Sequence, residues 1–339
     1  MATIETKQLD QQTWEKFMSQ HDEANFLHSW YWGNFHERLG HKVERRGFYY
    51  GDKLVGIVQG VVEPARRGRH LVIAGGPIID WSDKALIKAW VKEIRNIARS
   101  NKCIFIRVRP QLINDEKNRK TFKELGFKKA PMHVTADLTS QLDLTKTDEE
   151  LKKAMRKGTR YELNKATRIG IKVESATDTQ FLDEFCQLQF KTAERQGFVP
   201  FSKKFLTTQF EAFAEAGKVV MYRSTYEGKL LAMAFIIFYG PEAAYHYGAS
   251  TELAREYPGA YAIQHEAIDE ARKRGCKRYN FWGVTEHGQT KHRFYGVSVF
   301  KRGFGGEDVA YLPARDLVLS PAYALTFAFE TARRKMRKL

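Results

Sequence analysis

Apolar residues recur along this chain in two rhythms, and the switches between them sketch its elements. In residues 84–99, KALIKAWVKEIRNIAR, the side chains Leu86, Trp90, Ile94 and Ile97 fall on one stripe at helical spacing, which predicts an amphipathic helix. Before it, VERRGFYY, the turn Gly51-Asp52-Lys53 and LVGIVQGVVE predict a β-hairpin. His70 to Ile79 predicts a further strand, broken by Gly75-Gly76-Pro77. After the helix, CIFIRVRP reads as a buried strand stopped by Pro110, and DEKNRKTFKELGF as a second helix ending at Gly126. Residues 11–20 read as a short helix, and the aromatic stretch Phe26 to Phe35, FLHSWYWGNF, as core.

The same order returns in the second half. Lys218 to Tyr226, the turn Glu227-Gly228-Lys229 and Leu230 to Tyr239 form a second hairpin. The strand Ala244 to Ala249, the helix Ala260 to Arg274, the strand Lys277 to Phe281 and the helix-like KHRFYGV follow. A β-β-β-α-β-α order that occurs twice predicts two copies of one α+β (mixed α/β) unit, each a sheet with helices packed on it. The expected division is 1–145 plus 317–339 for the first domain and 146–316 for the second. Between the copies, Asp148 to Arg168 is strongly basic and reads as a helix interrupted by Gly158, either a face for tRNA or phosphate or a solvated helix with ordinary charge pairs. The apolar part of Leu317 to Leu339 is too short to span a bilayer; it reads as a helix returning to the first domain, with a membrane-surface helix as the alternative.

Composition narrows the function classes. A chain of 339 residues, 43% hydrophobic, buries enough for two domains at roughly 100 to 200 residues each. Its 56 Lys and Arg against 40 Asp and Glu give a formal charge of +16, which attracts polyanions such as tRNA, nucleotide diphosphates or an anionic membrane surface. Cys103, Cys186 and Cys276 are widely spaced in apolar stretches, so neither a disulfide framework nor a metal site is expected. With no signal-peptide or membrane-spanning run, the expected location is a reduced cytoplasm.

The candidate chemistry gathers in Tyr295 to Glu307, YGVSVFKRGFGGE. Lys301 lies between Phe300 and Phe304 and before the Gly305-Gly306 turn, where an ammonium could face a developing negative charge; the plainer reading is a strand ending in a glycine turn. Tyr245 and Tyr247 alternate along their strand and so should share a face, with His246 opposite in the core. His287 and His292 flank the loop before Lys301 and are general-base candidates by type. No Gly-x-Ser-x-Gly elbow is present.

The doubled order resembles the GNAT acyltransferase fold. The loop of that fold that cradles the CoA pyrophosphate is replaced here by REYPGA, with Pro258 offering no N–H at the helix start. Taken together, FLHSWYWGNF, MRKGTRYELNKATRIGIKV, AERQGF, YEGKLLAMAFIIFYG, AYHYGAS, YNFWGV and VFKRGFGG resemble the Fem family of non-ribosomal peptidyltransferases nearly end to end. The resemblance implies two GNAT-like domains and transfer of an amino acid from aminoacyl-tRNA to the stem peptide of a peptidoglycan precursor, either lipid II or UDP-MurNAc-pentapeptide. It implies no cofactor beyond that co-substrate. It also implies a monomer, cytoplasmic or peripheral at the cytoplasmic face of the membrane. By resemblance Lys301 stabilises the oxyanion and the leaving ribose alkoxide, a kind of contact worth ~3 to 4 kcal/mol in a barrier. Phe300 would stack on the terminal adenine, and Tyr245 and Tyr247 would line the precursor site. The family pattern departs at Arg109, where an Asp stands in some members, at Asn34 or His36 in place of a Lys, and at Phe201 in place of an Arg. Lys203 and Lys204 beside Phe201, together with Arg109, are therefore the candidate phosphate contacts. The alternatives are an acyl-CoA-dependent N-acyltransferase and a non-catalytic basic module for tRNA or membrane.

Overall fold

The computed structural model describes residues 3–64, 68–197 and 199–336, so Phe198 of the AERQGF segment and the last three residues lie outside the described residues. The chain divides into two compact units, residues 1–137 with 310–339 and residues 138–309.

The first unit opens with β1 (Ile4–Lys7), α1 (Gln11–Met18) and α2 (Trp30–Arg38). The hairpin β2 (Lys42–Tyr50) and β3 (Lys53–Glu63) follows, then β4 (His70–Ala74) and the short β5 (Ile78–Ile79). The amphipathic stripe becomes α3 (Lys84–Ser100), started by the Asp83 carboxylate, which accepts from the Ala85 and Leu86 N–H groups at 2.9 and 3.0 Å. β6 (Phe105–Arg109), α4 (Glu116–Glu124) and β7 (Lys128–Lys129) complete the run. Leu86, Trp90, Ile94 and Ile97 are all buried against Ile106, Val108, Phe122 and Phe127, and Trp90 lies parallel to Phe127 at 5.9 Å. Each such side chain contributes roughly 1.5 to 3 kcal/mol of burial.

The chain then enters the second unit with β8 (Leu138–Asp143), α5 (Asp148–Ala154) and α6 (Lys157–Ile169). The helical stretch expected to break at Gly158 breaks instead at Met155 and Arg156, whose backbones are extended; the Arg156 N–H leaves the helix to bond the Gly303 carbonyl at 2.9 Å, and Gly158 lies inside α6. The order of the first unit recurs in β9 (Lys172–Ala176), α7 (Leu182–Gln196), α8 (Lys203–Ala214), β10 (Val219–Tyr226), β11 (Lys229–Tyr239), β12 (Glu242–Ser250), α9 (Gly259–Lys273), β13 (Arg278–Gly283), α10 (Tyr295–Arg302) and β14 (Glu307–Ala310). Positive φ at both Glu227 and Gly228 makes the β10–β11 connection a two-residue turn whose twist suits a hairpin. The α9 side of this sheet buries Ala234, Ile236, Ile263, Ala267 and Phe281, while Phe235 points to the other side and meets Phe185 of α7 and Phe210 of α8. β15 (Arg315–Val318) and α11 (Tyr323–Met336) close the chain in the first unit.

The first sheet runs β1-β2-β3-β4-β6-β15-β7 with β5 beside β3, and the second runs β9-β10-β11-β12-β13-β8-β14. Position for position these are the same sheet. The strand that closes each repeat pairs in the other repeat's sheet: β8 follows β7 in the chain but pairs with β13, and β15 follows β14 but pairs with β6 and β7. This exchange sets the division at 137/138 and 309/310 instead of the expected 145/146 and 316/317, because β8 belongs wholly to the second sheet and β15 wholly to the first. In the first unit β15 also delivers Asp316, fully buried, whose carboxylate takes both Nε and Nη2 of Arg107 at 2.8 and 2.7 Å; Glu330 of α11 takes the rest of the same guanidinium. No helix among the described residues is long and apolar enough to cross a membrane.

Candidate functional site

In the second unit the parallel pair β12–β13 is short. Its ladder joins Glu242, Ala243 and Ala244 to Arg278, Tyr279 and Asn280, and the Glu242 carboxylate ties it by accepting from Arg278 Nε at 2.9 Å and Asn280 Nδ2 at 3.2 Å. Beyond these residues both strands become irregular. On β12 the pairing to β11 shifts, so that Tyr245 stands opposite Ile236 and Tyr247 opposite Phe235, leaving His246 as the extra residue of a bulge.

The bulge corrects the expectation that Tyr245 and Tyr247 share a face, since one inserted residue reverses the alternation. Tyr245 joins the α9-side core, whereas Tyr247 packs against Phe235 and lies 5.5 Å from the ring of Phe201. His246 goes with Tyr247: the rings are 4.0 Å apart, Gln209 of α8 reaches His246 Nε2 at 3.0 Å, and burial pushes the imidazole down to about 3, which keeps it neutral.

On β13 the irregularity falls at Trp282, which has φ +65, a left-handed conformation that costs a non-glycine residue ~1 to 3 kcal/mol. Its N–H is held by Asn280 Oδ1 at 2.8 Å, and its indole crosses the His246 ring edge-on at 5.4 Å. The next residue, Gly283, turns its carbonyl to the Lys301 Nζ, which donates to it at 2.7 Å.

Lys301 is therefore in the last turn of a helix, α10, and not on a strand ending in the Gly305-Gly306 turn. Several contacts fix this helix. Ser298 Oγ accepts the Thr285 N–H at 2.9 Å and donates to the Phe294 carbonyl at 2.9 Å. The Arg302 guanidinium grips Asp308, with Nε at 2.9 Å and Nη2 at 2.6 Å, and also reaches the Thr285 carbonyl. The glycines after Lys301 are needed for space: a Cβ on Gly305, at φ +89, would lie 2.7 Å from the Ala154 backbone, and one on Gly306 would lie 2.6 Å from the Gln141 carbonyl oxygen.

The result is a buried ammonium, 8% exposed, 5.7 Å from the centre of the Tyr245 ring, with no carboxylate paired to it among the described residues. Burial alone brings its pKa down from 10.5 to about 7. Such a group holds a positive charge in an apolar setting and can part with a proton near neutrality. Phe300 stands edge-on to Tyr261 at 4.9 Å, and Phe304 beneath it is stacked on Phe281 at 5.0 Å.

The other candidate residues distribute unevenly. Lys203 and Lys204 begin α8 beside Phe201, exposed at the positive end of the helix, and Lys203 pairs with Asp183 at 2.8 Å. Arg109 lies in the first unit, buried, bonded to Gln111 and to the Ala136 carbonyl at 2.9 Å and packed over the Tyr311 ring. His287 faces Asp308 at 3.3 Å, and His292 Nδ1 accepts the Phe294 N–H at 3.1 Å, so both imidazoles serve the loop that leads into α10. The geometry thus joins Lys301, Phe300 and Tyr245 on one side of the sheet and Tyr247, Phe201 and the start of α8 on the other. Gly283, Trp282 and Gln209 complete the arrangement without having been singled out in sequence; the strand-ending YNFWGV was the available signal for the first two. Arg156 and Lys157, exposed together with Tyr161 on α6, adjoin the Lys301 segment through the Arg156–Gly303 hydrogen bond.

The model of the FemAB family matches residues 9–223 and 221–328. The chain is 22% identical over 327 residues to a lipid II:glycine glycyltransferase of Staphylococcus haemolyticus, covering 75% of this chain and 78% of that protein. In structure it superposes on crystalline FemX with a TM-score of 0.86 at 19% identity, covering 96% of this chain and all of the other. A tandem GNAT protein from the clavulanic acid pathway gives a TM-score of 0.60 at 12% identity over 94% of this chain and 99% of its own.

Proposed function

The chain belongs to the FemAB family, and on that premise we propose that it is an aminoacyltransferase of peptidoglycan synthesis, moving an amino acid from aminoacyl-tRNA to the stem-peptide amine of a cell-wall precursor. The observation that carries this reading is Lys301, an ammonium without a carboxylate, set in an apolar site at the end of a broken parallel strand pair.

In the proposed reaction the amine nitrogen attacks the ester carbonyl, a C–N bond forms, and the carbonyl electrons move onto oxygen. When the intermediate collapses, the C–O bond to the ribose breaks, the former amine loses one proton and the ribose oxygen gains one. Lys301 donates a hydrogen bond to the oxygen that becomes negative, and a pKa of about 7 lets it pass its proton to the leaving ribose oxygen. The acyl group arrives activated as an ester, so the step needs no covalent enzyme intermediate. Phe300 offers an aromatic edge and face for the terminal adenine, worth ~1 to 3 kcal/mol per base. The exposed cations of α5 and α6, with Tyr161 among them, offer the tRNA backbone a basic surface tied to the segment after Lys301 by the Arg156–Gly303 hydrogen bond. Lipid II and UDP-MurNAc-pentapeptide are both acceptors of this class.

The test is transfer of a radiolabelled amino acid, from a mixed pool of charged tRNA, to purified UDP-MurNAc-pentapeptide and to lipid II. Label should appear on one acceptor and vanish with Lys301→Ala and after nuclease treatment. Transfer to neither, or label that survives nuclease, refutes the tRNA-dependent reading; tight acyl-CoA binding by calorimetry would replace it.

A further inference from the structure

We propose that His36, His41 and Glu63 form a binding site for one divalent cation of the zinc class, opening onto a cavity in the first unit. The three residues come from different elements. His36 is in the last turn of α2, His41 follows Gly40, which turns the chain at φ +86, and Glu63 ends β3. The β2–β3 register pairs Lys42 with Val62, so one step further His41 faces Glu63. The His41 N–H bonds back to the His36 carbonyl at 3.0 Å and folds the second imidazole onto the first.

The donor atoms converge. His36 Nδ1 and His41 Nδ1 are 3.1 Å apart, and Glu63 Oε1 lies 3.6 Å from His41 Nδ1 and 3.9 Å from His36 Nδ1. A triangle with these sides has a centre about 2.1 Å from every corner, which is the length of a Zn–N or Zn–O bond. The structure therefore places three donors around one point at coordination distance. Packing holds them there: the His36 ring is set against Trp32 at 5.2 Å and Phe35 at 4.7 Å. With no cation, one Nδ1 must use a proton to satisfy the other; a cation meets both lone pairs and the carboxylate at once.

Two imidazoles and a carboxylate suit zinc and its neighbours better than magnesium or calcium, which prefer all-oxygen sets. His36 and Glu63 also line a cavity of about 270 Å³ whose wall includes Gln59, His70 and His133, while His41 lies off it. A water or a small oxygen or nitrogen donor would complete the shell. The cysteines gave no hint of this site because it uses none of them.

The experiment is equilibrium dialysis of the tag-free full chain against low micromolar Zn²⁺, with bound metal counted by mass spectrometry and thermal unfolding followed with and without the ion. One equivalent should be retained and should raise the unfolding temperature. His41→Ala and Glu63→Gln, which sit at the rim of the packed region, should each bind at least about tenfold more weakly and lose the thermal shift while keeping the wild-type circular dichroism; His133→Ala should keep both. Failure of the wild type to retain zinc, or equal retention by His41→Ala and Glu63→Gln, overturns the proposal. The outcome is independent of any transferase activity.

Discussion

Replacing Lys301 with methionine should abolish transfer and yet stabilise the protein. Methionine has nearly the length of lysine and no charge to desolvate. Burial lowers the Lys301 pKa from 10.5 to about 7, and at 1.36 kcal/mol per pH unit the charged, buried lysine costs about 5 kcal/mol when both folded and unfolded states are protonated, below pH 7. Between pH 7 and 10.5 the folded lysine is neutral while the unfolded one still holds its proton, so this cost fades as pH rises and is gone above 10.5. Methionine removes it, but strands the Gly283 carbonyl that Lys301 satisfies, at ~1 to 3 kcal/mol. The difference leaves Lys301→Met about 2 to 4 kcal/mol more stable at pH 6, shrinking to near zero by pH 9.5. Urea unfolding of both proteins at the two pH values reads this directly, with Lys301→Arg as a charged control that should be less stable than either. If Lys301→Met is less stable than the wild type at pH 6, or if the gap does not change with pH, Lys301 is not held charged against a desolvation cost and the reasoning fails.

Other outcomes test neighbouring parts of the argument. In the proposed step the ammonium is the acting form, so kcat/KM should fall as pH rises through about 7, and Lys301→Arg, whose charge persists, should flatten that limb while lowering the rate. Phe300→Ala should raise KM for charged tRNA roughly tenfold and leave the acceptor KM unchanged, as loss of a base-stacking partner does. Gly306→Ala drives a Cβ into the Gln141 backbone and should cost upward of about 2 kcal/mol, whereas Gly170→Ala, with open space around it but φ +77, should cost about 1 kcal/mol in the same unfolding assay. Arg107→Met leaves the fully buried Asp316 without its cation and should cost ~3 to 5 kcal/mol; the double variant Arg107→Met, Asp316→Leu should recover much of that.

What could be read from the chain before folding depended on how local the cause was. The α3 stripe, the Glu227-Gly228 turn and the doubled element order are set by residues within a few positions of one another, and these were legible. Lys301 was misplaced onto a strand because FKRGFGG reads locally as a strand ending in a glycine turn; its helix is fixed instead by Ser298 and Arg302, whose partners Thr285 and Asp308 lie up to 17 residues away. Tyr245 and Tyr247 were assigned one face because period-two reasoning holds only for an unbroken ladder, and the bulge is visible solely in the pairing with β11. Gly158 looked like a break because glycine is a poor helix former, but the chain breaks where Arg156 finds a better backbone partner in Gly303. The His36, His41 and Glu63 cluster is a product of β2–β3 register and was beyond any spacing rule.

The exchange of β8 and β15 inverts the order in which the ribosome can finish this protein. Synthesis usually lets the N-terminal part fold first. Here residues 138–309 are contiguous and hold every strand of the second sheet, so that unit has all its parts as soon as its own last residues emerge. The first unit, though begun earlier, waits with a gap between β6 and β7 and with Arg107 facing no counterion until Asp316 and then Glu330 are made. A chain arrested before residue 315 would carry a finished second half behind an unfinished first, and its open sheet edge would be the place where a nascent-chain chaperone or a protease takes hold.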